Sequence, residues 1–123
     1  MIRGIGIDLV KIARLKQVVD RWGERFLKRV FTEKEISYCY TKNNPYLSLS
    51  VRFAAKEALI KAIGAEFPAS FTDIEVIRLE KGKPSLRAIG KLKVFLEKKR
   101  IHHIHISLSH EHDYGIACVV LEE

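Results

Sequence analysis

Cysteine is scarce. The 123 residues hold only Cys39 and Cys118, with no CxxC and no framework spacing, which excludes a disulfide-stapled scaffold. Two thiols suffice for one bridge, but each sits among apolar or aromatic neighbours and reads as a reduced, core-filling side chain. No uninterrupted apolar run approaches the roughly 18 residues of a membrane span. The opening MIRGIGID lacks a charged segment followed by a long apolar one, so no signal peptide is expected. Together these absences predict a cytoplasmic protein. The three prolines are scattered, and there is no internal repeat, low-complexity tract or Pro/Gly/Ser-rich linker. One domain spanning 1–123 is the simplest account. Apolar residues make up 47% of the chain, enough to exclude wholesale disorder. A chain of this size buries roughly two-thirds of its unfolded surface without needing staples.

Acidic residues are the minority, 15 against 22 basic ones, for a net charge of +7. The excess is uneven. Between Lys11 and Lys34 eight basic residues face three acidic ones, a local +5. A field of that sign favours an acidic partner, whether nucleic acid, anionic lipid, a phosphate-rich cofactor or an acidic protein.

Residues 2–9 alternate as a strand, with Ile5, Ile7 and Leu9 on one side and Gly4, Gly6 and Asp8 on the other. Glycines within a strand mark close approach of another backbone or a ligand. Residues 12–31 switch to helical spacing, with Arg14, Lys16, Arg21, Arg25 and Lys28 on the polar face and a disturbance expected at Gly23. Trp22, Phe26 and Phe31 fall on the apolar stripe, which predicts core positions. Thr32 and Glu35 have capping-box spacing for a short helix over 33–40, and 42–45 reads as a loop. A helix over 48–63, ended by Gly64, is apolar on more than one side and therefore predicted to be buried. A strand over 73–80, a turn at 81–84, a short strand at 85–87, a helix over 88–100 and strands at 102–109 and 114–121 complete the chain. The order β-α-α-α-β-β-α-β-β predicts an α+β fold with an antiparallel-rich sheet packed against helices.

Four charges inside the buried helix, Arg52, Lys56, Glu57 and Lys61, need a reason. Glu57 and Lys61 share a helix face at i, i+4 spacing, which also suits an ordinary surface ion pair. Their neighbours Ala54, Ala55 and Ala58 are small and leave room for something large. A carboxylate amid three cations, with Asp8 as a second carboxylate, suits a metal–phosphate site. Taken alone, Asp8 reads equally as a turn or capping residue. On spacing alone Lys83 reads first as a solvated turn lysine, and His110 first as a turn histidine, with a functional side chain at a strand end as the other reading. The five histidines match no zinc signature, and no cysteine lies near them in sequence.

GIGIDLV (4–10), RFAAKEALIKAIG (52–64), GKP (82–84) and HISLSH (105–110) together resemble the motifs of bacterial holo-acyl-carrier-protein synthase, the small single-domain type of 4′-phosphopantetheinyl transferase. The resemblance runs the length of the chain and implies that family's fold. It implies a fatty-acid biosynthesis enzyme that moves the 4′-phosphopantetheine arm of coenzyme A onto a serine of apo-acyl-carrier protein, releasing adenosine 3′,5′-bisphosphate. It further implies Asp8 and Glu57 as Mg²⁺ ligands and Lys61 on the phosphates, these three forming the catalytic set. Arg52, Lys56, Lys83, Pro84 and His110 would join Lys61 at the coenzyme site. A homotrimer with sites between subunits is implied too, with the basic first helix docking the acidic carrier through Arg14, Arg21 and Arg25. The residues do not identify the general base; water near Asp8 and Glu57 and the His110 ring are the candidates. A basic nucleic-acid-binding module and a structural trimer without catalysis are the competing classes. Both leave Glu57 unexplained.

Overall fold

The computed structural model describes residues 1–78 and 80–123, the side chain at 80 excepted. The first strand, β1, is Ile2–Lys11 and runs directly into α1 (Ile12–Trp22). The single helix expected over 12–31 is broken. Gly23 adopts φ 56°, ψ −134°, a backbone region that glycine enters without steric penalty, and α2 (Glu24–Val30) starts on its far side. Trp22 is thereby left at a helix end, 50% exposed rather than in the core as its place on the stripe predicts. Phe31 is buried at 2%.

Helix α3 (Glu33–Cys39) carries the expected capping box, with Thr32 and Glu35 bonding each other's backbone N–H reciprocally. Helix α4 (Pro45–Ile63) begins three residues before the expected Ser48. The Asn44 side chain accepts from Tyr46 N and Leu47 N, and Pro45 occupies the first helical position, where no N–H is needed. Strands β2 (Ile74–Arg78) and β3 (Pro84–Ala88) pair antiparallel. The strand expected over 73–80 is shorter than predicted, and its residue Leu79 lies outside the described residues. Helix α5 (Gly90–Lys98) then leads to β4 (His103–His110) and β5 (Tyr114–Glu122). These two join β1 in an antiparallel sheet of order β1-β5-β4. The architecture is α+β, with four α-helices between β1 and β2 where three were expected.

Helix α4 lies across the inner face of the larger sheet. Ala54, Ala55, Ala58 and Leu59 are 0% exposed, and they pack with Ala117, Val119 and Leu121 of β5, Ile74 of β2 and Leu92 of α5. The glycines of β1 explain the closeness. A methyl group on Gly6 would run into the Ala58 carbonyl oxygen, and one on Gly4 into that of Ala62. A second cluster, including Leu15, Val19, Leu27, Phe31 and Leu49, fills the space under the first three helices. The apolar side of β1 faces the other way: Ile5, Ile7 and Leu9 are 67%, 57% and 58% exposed. His103, His105, Ser107 and Ser109 of β4 are exposed as well. The usual apolar-in pattern is inverted in β1 because the side chain-free face is the one that admits a helix backbone.

Candidate functional site

Because Gly4 and Gly6 bring α4 against β1, Asp8 at the following inward position meets the α4 face that carries Glu57 and Lys61. Lys61 Nζ donates to Asp8 Oδ1 at 2.9 Å and to the Ile7 carbonyl at 3.1 Å. Asp8, Glu57 and Lys61 line one cleft of about 540 Å³, and Arg14 reaches it from α1. Leu15, Val18, Phe26 and Phe53 add an apolar lining to the same cleft. Burial pushes the Glu57 carboxyl above its ordinary range, the Asp8 charge pushes it further, and Lys61 opposes both. The Lys61 ammonium is held above its ordinary range by its hydrogen bond to Asp8 and then by the Asp8 charge.

Two facing carboxylates served by one lysine form an incompletely neutralised donor set of hard oxygens. That is the chemistry of a Mg²⁺ site, which takes one or two protein carboxylates and fills its remaining positions with water and substrate phosphate. Among the described residues no three or more His, Cys, Asp or Glu side chains gather as a cage of protein ligands. Asp8 and Glu57 are two carboxylates of the kind such a Mg²⁺ site takes.

A second cavity, of about 210 Å³, is lined by Arg52, Arg78, Pro84 and His110 among others. Arg52 is 4% exposed. Its Nη1 donates to the carbonyl and the hydroxyl of Ser48, at 3.1 and 2.7 Å, while its Nε is buried without a partner. The Arg52 and Arg78 guanidinium groups and the Lys42 ammonium all stand over the Tyr38 ring, at 4.6, 5.4 and 4.8 Å from its centroid. Three cations gathered around one aromatic ring make a local positive field that attracts anions.

Lys56 does not join either set. Its side chain is 0% exposed and pairs with Glu35 at 2.6 Å. One residue along a helix is a rotation of about 100°, so the turn that aims Glu57 at the cleft aims Lys56 inward. Lys83 is exposed and lines neither cavity. Arg21 and Arg25 stack on Trp22, at 5.3 and 6.0 Å. Arg25 and Trp22 also line a third hollow, of about 390 Å³, which shares Val18 and Phe26 with the first cleft. Sequence reasoning missed Tyr38 and Arg78. Neither stands in a motif, and only the pairing of β2 with β3 beside α3 brings them to Arg52.

Residues 4–119 match the 4′-phosphopantetheinyl transferase superfamily. The chain belongs to that superfamily. It is 51% identical over 124 residues to a holo-[acyl-carrier-protein] synthase of Halothermothrix orenii, covering 100% of this chain and 99% of the relative. The crystal structure of the holo-[acyl-carrier-protein] synthase from Neisseria meningitidis superposes with a TM-score of 0.93 at 34% identity, covering 100% of both chains. That of the Helicobacter pylori synthase in complex with coenzyme A superposes with a TM-score of 0.84 at 33% identity, covering 96% of this chain and 99% of that one. Within the superfamily the chain is an enzyme of the holo-[acyl-carrier-protein] synthase type, a phosphopantetheinyl transferase.

Proposed function

We propose that the protein transfers the 4′-phosphopantetheine arm of coenzyme A to a serine hydroxyl of an apo-acyl-carrier protein, with Mg²⁺ held by Asp8 and Glu57. The observation that carries this reading is the convergence of Asp8, Glu57 and Lys61 on one cleft. The Helicobacter pylori relative binds coenzyme A, which supports the co-substrate.

In the proposed reaction the serine oxygen forms a bond to the β-phosphorus of coenzyme A. The bond from that phosphorus to the bridging oxygen breaks, and the oxygen leaves with adenosine 3′,5′-bisphosphate. Bound Mg²⁺ would supply Lewis-acid stabilisation of the pyrophosphate charge. Lys61, 54% exposed, can exchange Asp8 for a phosphate oxygen and follow the charge that builds on the leaving side. The serine proton departs to water held at the Asp8 and Glu57 carboxylates. Arg52 and Arg78, with Lys42, hold the anionic nucleotide end near Pro84 and His110. The apolar wall of the cleft receives the carrier surface around the serine, and Arg14, Arg21 and Arg25 attract its acidic helix.

The two cavities share no residue on one chain. The exposed Ile5, Ile7 and Leu9 stripe suits contact between copies. A homotrimer that sets one copy's carboxylate cleft beside its neighbour's Arg52 cavity would complete each site. A cytoplasmic place in fatty-acid biosynthesis accords with this activity. Incubation with coenzyme A, Mg²⁺ and apo-carrier, followed by mass measurement of the carrier, tests the reading. Addition of one phosphopantetheine is expected, and an unmodified carrier overturns it. Trp22, half exposed with two guanidinium groups over its ring, also suits nucleic-acid stacking. A nucleic-acid module would leave the carrier unchanged in the same incubation.

A further inference from the structure

We propose that Lys56 is a positioning residue, which through its buried bond to Glu35 holds α4 in the rotation that points Glu57 at the cleft. The proposal rests on reading Asp8 and Glu57 as a cation site.

The Lys56 ammonium has three protons and three acceptors. It donates to the Val30 carbonyl at the end of α2 at 2.7 Å, to Glu35 Oε1 on α3 at 2.6 Å, and to the Phe71 carbonyl just before β2 at 3.1 Å. Both oxygens of Glu35 are engaged as well. Its Oε1 also accepts from Thr32 N and its Oε2 from Val76 N, both at 2.8 Å. Both side chains are 0% exposed. No proton remains for a phosphate, and Lys56 lines none of the cavities described above, so Lys56 is not a coenzyme ligand in this fold.

A buried ion pair is poor value as a source of stability, since apolar side chains of the same volume do as well or better. What this pair supplies is geometry. On its β1 side α4 rests on Gly4 and Gly6, which set how near the helix comes but offer no side chain to stop it turning or sliding. On the opposite side Lys56 ties the same turn to three separate elements. Glu57 is the next residue, and its direction is fixed by that tie. A turn of α4 by a few tens of degrees would carry the Glu57 carboxylate out of reach of a cation held by Asp8.

The test uses two variants of the full chain, with Mn²⁺ as the metal probe, its free ion followed by electron paramagnetic resonance. Coenzyme A binding is followed by calorimetry without metal. Lys56→Met removes the tie, and Glu35→Asp shortens it by one methylene while keeping both charges. In both, Mn²⁺ affinity should fall at least tenfold while coenzyme A affinity stays within threefold of the unsubstituted protein. Should Lys56→Met fail to fold, Glu35→Asp decides alone. A tenfold loss of coenzyme A affinity with Mn²⁺ binding intact would make Lys56 a direct ligand and overturn the proposal. So would unchanged Mn²⁺ affinity in folded Glu35→Asp. If instead Glu57→Gln binds Mn²⁺ as tightly as the unsubstituted protein, the cation-site reading itself fails, and the inference with it. That result is distinct from failure of the Lys56 tie alone.

Discussion

Helix α4 carries two lysines five residues apart, each bonded to a carboxylate from another element, and the two pairs do opposite work. Lys56 and Glu35 are both 0% exposed and 2.6 Å apart, with the other two ammonium protons and both carboxylate oxygens also bonded to backbone. Lys61 and Asp8 are 2.9 Å apart, but the lysine is 54% exposed and its partner 16%. In the first pair neither member can move without leaving a charge stranded in low dielectric. In the second the lysine can let go, because water stands ready to solvate it. A pair that must not move suits a brace, and a pair that can exchange partners suits a site where a cation and phosphates are to enter.

Removing the carboxylate both pairs are arranged around should have the largest effect. Glu57→Gln should lower transfer to the carrier by about 10³-fold, the scale for losing one preorganised electrostatic group at a phosphoryl-transfer centre. Carrier mass over time measures it. The same substitution should not cost stability in the metal-free protein. Burial and then Asp8 raise the Glu57 carboxyl above its ordinary 4.5. The folded chain therefore binds that proton more tightly than the unfolded one, and stability is lost as pH rises from about 4.5 through the raised value. Glu57→Gln removes this loss. Its urea midpoint should match or exceed that of the unsubstituted protein at pH 7, and the difference should close toward pH 4.5. A variant both inactive and less stable would mean that Glu57 braces the fold as Lys56 does.

Next in size comes the brace. Lys56→Met strands Glu35 as an unpaired buried carboxylate and should cost about 3–5 kcal/mol of unfolding free energy. Urea denaturation at pH 7 checks this. A cost no greater than that of an exposed substitution would erase the contrast between the two lysines.

That contrast was only half legible in the sequence. Asp8, Glu57 and Lys61 could be singled out because their signals are local: a strand whose glycine-cleared face ends in an acid, and an i, i+4 pair among alanines. Lys56 and Glu57 are adjacent and both charged, and nothing local says which one turns inward. The answer is held by Glu35, a capping-box residue 21 positions earlier, whose second oxygen is taken by a strand 41 positions later. The same limit applies to β1. Alternation identified the strand but not its orientation, because apolar-in is a rule about side chains, and here a helix backbone settles on the face that has none. At Gly23 the apolar spacing continues across the break, so periodicity alone could not place Trp22 outside the core. Tyr38 left no local trace at all, since the three cations above it come from separate segments.

The movable pair should yield a smaller effect of the opposite kind. Lys61→Met should lower transfer by about 10²-fold through loss of a charge that tracks the leaving phosphate, while the urea midpoint stays where it is. If stability fell as far as in Lys56→Met, exposure would be a poor guide to which pair braces the helix.

A third pair extends the series to its weak end and should show the smallest effect. His105 Nε2 lies 2.9 Å from Glu122 Oε1 on the open face of the larger sheet, with side chains 58% and 38% exposed. The hydrogen bond to His105 holds the Glu122 carboxyl below its ordinary range. A depressed carboxylate contributes stability above its unfolded pKa of about 4.5 and loses it as pH falls through the lower folded value. Solvent screens a pair this exposed. His105→Gln should therefore leave the urea midpoint at pH 7 unchanged within error in dilute protein. If the exposed Ile5, Ile7 and Leu9 stripe closes against other copies, however, the pair is covered, and removing one partner then leaves Glu122 without its partner in a desolvated interface. The same variant should then shift the sedimentation profile toward smaller species at a protein concentration where the unsubstituted chain is assembled. A unimolecular stability loss in His105→Gln, independent of protein concentration, would place this pair with Lys56 and break the ordering by burial.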